Sequence, residues 1–137
     1  MSKLVYDGTD AVFGRIASVV AKDLLKGHSV DLINCDKIIV SGDKKKFAEK
    51  IMVKRQMGRG GSIKGPKYPK LTDRLVKRMI RGMLPRDRMK GQDAYRRLKC
   101  YIGEGELKEN ELKTAIKVEH KKPMKYSTIK EIMRLLA

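Results

Sequence analysis

A strand, a helix and a second strand follow one another within the first forty residues, and that order commits the chain to an α/β architecture. Leu4, Val5 and Tyr6 form a short extended apolar run, and Asp7-Gly8-Thr9-Asp10 is a turn. Phe13, Ile16, Ala17, Val20 and Leu24 then recur at helical spacing. Asp10 is placed to cap that helix and Gly27 to end it, with Lys22 and Lys26 near its negative end. Val30 to Ile33 and Ile38 to Val40 read as strands separated by Asn34-Cys35-Asp36. Two parallel strands need a crossover between them, usually a helix, so the pattern reads as a βαβ opening. A chain of 137 residues is expected to form one domain, and one this size buries roughly two-thirds of its unfolded surface.

The charges are not spread evenly over this frame. Residues 1–40 carry five basic and five acidic side chains, residues 41–100 carry twenty and five, and residues 101–137 carry eight and six. The middle stretch therefore holds +15 of the formal +17. A neutral opening, a basic centre and a nearly neutral tail imply a strong positive field on one face. Such a field attracts polyanions, nucleic acid first among them.

The basic stretch has its own elements. A second helix is expected over about residues 44–57, with Phe47, Ala48, Ile51 and Met52 as its apolar stripe. Lys46, Lys50 and Lys54 recur every fourth residue on another face, where like charges repel unless an anion lies alongside. Gly58 to Lys70 is a loop with four glycines, two prolines and four cations; loops this long inside a compact domain are usually functional or disordered. A third helix follows. Thr72 is placed as its N-cap, and Leu71 and Val76 as a hydrophobic staple. Leu75, Val76, Met79, Ile80 and Met83 form one stripe; Arg74, Lys77, Arg78 and Arg81 form another. Pro85 disfavours helix at Leu84, which ends it near Gly82. Arg86 to Leu98 is basic and partly helical, Leu98 to Ile102 a strand, and Gly103-Glu104-Gly105 a turn. Ala115 to Val118 is a last strand or arm. Thr128 and Glu131 form a capping box for a short C-terminal helix with Ile129, Ile132, Met133 and Leu136 on one side.

Several chemistries are set aside. Lys64 is followed by Gly65 where a phosphate-binding P-loop needs Ser or Thr, and no Gly-x-Gly-x-x-Gly joins the first strand to the first helix. A nucleotide-binding α/β enzyme is thus a minor alternative. His28 and His120 read as surface histidines, without the pairing that acid–base catalysis needs. Cys35 and Cys100 each end a strand-like run and read as buried free thiols; their spacing is not that of a zinc site. No metal or other cofactor is expected. No apolar run has the length of a membrane span, and the Met-Ser-Lys-Leu-Val-Tyr start is no signal peptide, so no membrane partner and an intracellular location are expected.

Among nucleic acids, folded RNA fits best. With two Phe, five Tyr and no Trp, the chain lacks the rings of a single-strand reader built on an aromatic sheet. Cations spread over some sixty positions exceed what one DNA-recognition helix needs, so no DNA is expected. They suit phosphate contacts over a broad, irregular surface.

Certain segments resemble a known family. Phe13-Gly14-Arg15-Ile16-Ala17-Ser18 with Leu25-Lys26-Gly27-His28, then Ile39-Val40-Ser41-Gly42-Asp43-Lys44, then Arg81-Gly82-Met83-Leu84-Pro85-Arg86, then Arg96-Arg97-Leu98-Lys99-Cys100-Tyr101-Ile102-Gly103 are similar, in order, to the L-thirteen family of large-subunit ribosomal proteins. The resemblance covers about residues 4–105. Gly65-Pro66 and Lys90-Gly91-Gln92 look archaeal or eukaryotic rather than bacterial, and the short N-terminus and compact tail resemble the archaeal form.

The resemblance implies a three-layer α/β/α fold around a small, mainly parallel sheet of about four strands, with the basic loop and C-terminal helix added. It implies a structural constituent of the large ribosomal subunit, in the cytoplasm, acting early in assembly. The implied partners are large-subunit rRNA and neighbouring ribosomal proteins, with mRNA as a further one; the alternative is a free-standing RNA-binding translational regulator. The residues expected at the RNA are Lys44, Lys46, Lys50, Lys54, Arg55, Arg59, Lys64, Lys67, Lys70, Arg74, Lys77, Arg78, Arg81, Arg86, Arg88, Lys90, Arg96, Arg97 and Lys99.

Overall fold

The computed structural model describes residues 2–61 and 64–136. Ser62 and Ile63, within the expected glycine-rich loop, lie outside the described residues. The chain runs β1 (Lys3–Asp7), α1 (Phe13–Leu25), β2 (Ser29–Ile33), a 3-10 turn (Cys35–Lys37), β3 (Ile39–Ser41), α2 (Lys44–Gln56), α3 (Thr72–Arg81), α4 (Met89–Arg96), β4 (Leu98–Cys100), α5 (Glu109–Lys113), β5 (Ile116–Lys117), β6 (Tyr126–Thr128) and α6 (Ile129–Leu136).

β4, β2, β1 and β5 form a parallel sheet in that order, and β3 pairs antiparallel with β6. The opening is the βαβ unit that the sequence foretold. The register sets Val30 between Leu4 and Leu98, and Leu32 between Tyr6 and Cys100. Side chains alternate along a strand, so these six share one face. Ile16 and Val20 of α1, Val76 and Ile80 of α3 and Ala94 of α4 pack in the same core. Lys3 and Asp31 point to the other face, where Lys3 Nζ lies 3.2 Å from Asp31 and 2.9 Å from Glu111 of α5. Helices thus flank a mainly parallel four-stranded sheet, as expected, with α1, α3 and α4 over one face and the short α5 beside Lys3 on the other.

A second, smaller core joins α2, α3 and α6 through Ala48, Ile51, Leu75, Ile132 and Leu136. α6 therefore docks on this chain's own α2. Thr128 Oγ1 accepts from Glu131 N at 3.3 Å, the capping contact expected there. Met79 packs against both cores and links them.

Five local expectations are corrected. Asp10 does not cap α1. Ala11 O accepts from Ile39 N at 2.8 Å and Val12 bridges Ile39, so this stretch is held extended and the helix begins at Phe13. Asp10 instead adopts φ 56° and lies 3.7 Å from Lys122. Thr72 is the first helical residue rather than the cap, because Leu71 O already accepts from Leu75 N at 2.9 Å. As the cap residue itself, Leu71 no longer holds the position before the cap that a staple uses, and it is half exposed while Val76 is buried. The strand from Leu98 stops at Cys100: Tyr101 O turns to Cys35 N, and Ile102 is exposed. Met83, past the end of α3, is exposed rather than part of the buried stripe. α5 and β6 had no sequence counterpart, since five and three residues are too few to show a period. Gly27 does end α1, with φ 104°.

Candidate nucleic-acid interface

α2 buries only a narrow strip. Ala48 and Ile51 are in the core while Lys46, Lys50 and Lys54 are exposed. Asp43 caps the helix by accepting from Lys45 N at 3.1 Å. α3 is divided more sharply, with Leu75, Val76 and Ile80 fully buried and Arg74 exposed. Lys77, Arg78 and Arg81 are half-covered.

Two tyrosines explain part of that cover. Tyr68, from the loop before α3, lies under the Arg78 guanidinium at 4.0 Å and the Lys54 ammonium at 5.6 Å. Tyr95, on α4, lies under Lys77 at 4.8 Å and Arg86 at 5.7 Å. Each ring attracts cations to its face and draws them together from different elements. The cations of α2, α3 and the start of α4 thereby form one surface with the α3 ridge along its middle. The scarcity of aromatics concealed this role, and no spacing links Lys77 to Tyr95 or Lys54 to Tyr68.

The loop is tied at both ends. A Cβ on Gly65 would overlap the Met57 carbonyl, and Gly58 (φ 138°) lies against Gly65. Arg55 Nη2 donates to Pro69 O at 3.0 Å, and Arg78 Nε to Lys67 O at 2.9 Å.

The expected RNA-facing residues are placed differently from one another. Lys44, Arg59, Lys64, Lys67, Lys70, Arg86, Arg88, Lys90, Arg96 and Lys99 are exposed. Among the described residues of the 41–100 stretch, the ion pair present is Arg96 with Asp93 at 3.4 Å. Two arginines have structural duties. Arg97 donates to Leu24 O at 2.6 Å, at the C-terminal end of α1, and Arg55 holds the loop. Their Nε atoms are buried.

Other reactive groups lie elsewhere. Cys35 and Cys100 are buried free thiols, and Cys35 is pushed up by neighbouring Cys100 and by burial. His28 Nδ1 lies 2.8 Å from Ser2 Oγ. His120 is half-buried rather than a surface histidine, with a buried Nε2. Tyr6 is pushed up by burial and by its hydrogen bond to Asp23. Among the described residues no His, Cys, Asp and Glu cluster is suited to a metal ion, and no helix is long and apolar enough to cross a membrane.

The geometry is that of a broad cationic surface carried by an α/β frame, and known proteins share the sequence behind it. The family model described as Ribosomal protein L13 matches residues 2–107. Large ribosomal subunit protein uL13 of Methanopyrus kandleri is 46% identical over 99 residues, covering 72% of this chain and 61% of that protein. The uL13 of Archaeoglobus fulgidus is 37% identical over 136 residues, covering 96% of this chain and 86% of the other. That of Picrophilus torridus is 35% identical over 134 residues, covering 95% and 94%. With the family's segments in order and the matched residues spanning the parallel sheet up to β4 together with α1 to α4, the chain belongs to the ribosomal protein L13 family.

Proposed function

We propose that this protein is a structural constituent of the large ribosomal subunit, that it holds folded rRNA through the surface of α2, α3 and the start of α4, and that it joins early in assembly. The observation that carries the reading is the α3 ridge. Its cations are gathered with those of its neighbours on Tyr68 and Tyr95, in a stretch, residues 41–100, that carries twenty basic and five acidic side chains. Burying such a surface is favourable only against a dense anion, and phosphate backbones supply one. Irregular placement over several elements suits a folded RNA better than a regular groove. Family membership supplies the ribosome, the cytoplasmic setting and the neighbouring proteins as partners.

Sedimentation tests this directly. The protein should co-migrate with the large subunit through a sucrose gradient at low to moderate salt, and appear in early assembly particles. Recovery only in the soluble fraction would leave the RNA-binding regulator as the better reading.

A further inference from the structure

We infer that the cavity between α2 and α3 receives one unstacked base of the RNA. This rests on the RNA-binding reading above and names a site within it. The cavity holds about 310 Å³. Phe47 of α2 and Met79 of α3, both partly exposed, give it apolar walls over a floor of buried Ile51 and Leu75. Tyr68 closes one side, and Lys50, Lys54 and Arg78 stand around it. No carboxylate lines it.

Phosphate contact alone does not need an apolar cavity. An occupant matched to these walls has a flat apolar body with negative charge close by, and a nucleotide is built that way. A base in a duplex is stacked and paired and cannot enter; a bulged or looped-out base can. Arg78 is already fixed by Lys67 O at 2.9 Å and by the Tyr68 ring at 4.0 Å, so the aromatic wall is pre-set before the RNA arrives. The base packs against that stack and the apolar walls, while its flanking phosphates meet Lys50 and Lys54. Base–aromatic stacking is indifferent to base identity, so the site reads an extruded nucleotide rather than a sequence.

The test uses the full chain and three short RNA duplexes: one uninterrupted, one with a single bulged uridine, and one with an abasic bulge. The bulged duplex should bind roughly tenfold more tightly than the other two. Tyr68→Ala should erase that preference and Tyr68→Phe should keep it. A photoreactive thiouridine at the bulge should crosslink to the peptides containing Phe47–Lys54 or Tyr68–Met79, a readout that needs no variant. Three duplexes bound equally and with steep salt dependence, or a crosslink elsewhere, would overturn the cavity assignment and leave the RNA-binding surface standing. No binding to any duplex, together with absence from subunits, would remove both.

Discussion

Gly91 of α4 lies directly on the Pro85 carbonyl, so close that a Cβ there would fall well under 3.0 Å from backbone. Pro85 O also accepts from Arg88 N at 3.1 Å, so it is not free to move aside. The contact seats α4 against the Gly-Met-Leu-Pro turn, whose Leu84 is buried. Gly91→Ala should therefore force the helix off its seat and cost about 3 kcal/mol, even though Ala is the better helix former. Chemical denaturation of the purified variant measures this directly.

The α3 arginines should separate by role. Arg74 is exposed and Arg81 half-covered. Arg74→Glu with Arg81→Glu should leave the melt within about 0.5 kcal/mol and sharply reduce entry into the subunit. Arg78→Ala should instead lower stability by about 1 kcal/mol, because it loses the Tyr68 stack and the Lys67 tie. Met79→Asp should abolish folding, since it sets a charge between the two cores. Thermal melts paired with gradient profiles distinguish all three.

RNA affinity should be strongly salt-dependent. If about six to ten phosphates are contacted, affinity for partly assembled subunits should fall by roughly three decades or more between 50 and 200 mM salt. A titration at four salt concentrations gives the slope, and a flat line would mean that something other than phosphate contact holds the RNA.

Asp7 should make folding acid-sensitive. Burial opposes its ionisation, but hydrogen bonds from Asn34 Nδ2, Thr9 N and Thr9 Oγ1, with Lys117 nearby, outweigh that and hold its pKa below the usual carboxylate value. A carboxyl depressed in the fold adds stability above its unfolded pKa, and that stability is lost as pH falls through the folded value. Melting temperatures below about pH 4 should accordingly drop faster for the native chain than for Asp7→Asn.

The two cysteines should be inert until the chain opens. Cys35 is fully buried, donates to Leu32 O at 3.6 Å and is held as the neutral thiol. Thiol reagents should label it at the unfolding rate, and Cys35→Ala should cost about 1–2 kcal/mol. Rapid labelling in native buffer, or stoichiometric zinc in the purified protein, would contradict a purely structural role.

The elements legible in the chain alone are those that repeat over several turns, form short apolar runs or open the βαβ unit: β1, α1, β2, β3, α2, α3, part of α4, β4, β5 and α6. Apolar periodicity and short apolar runs are local properties, and the helices among these bury a face long enough to show a period. The concentration of the positive field in residues 41–100 was legible too, because charge is additive along a chain. Packing settled the rest. Which residue begins α1 depended on Ile39 pairing with Ala11 and Val12, twenty-seven positions away in the closest case. Which cations act together depended on Tyr68 and Tyr95, rings that only packing brings beneath Lys54, Arg78, Lys77 and Arg86. Arg55 and Arg97 looked like their exposed neighbours in the sequence, yet the fold engages them with Pro69 and Leu24 carbonyls. A side chain's charge is written in its residue type, but the partner that charge meets is set by contacts between residues distant in the chain.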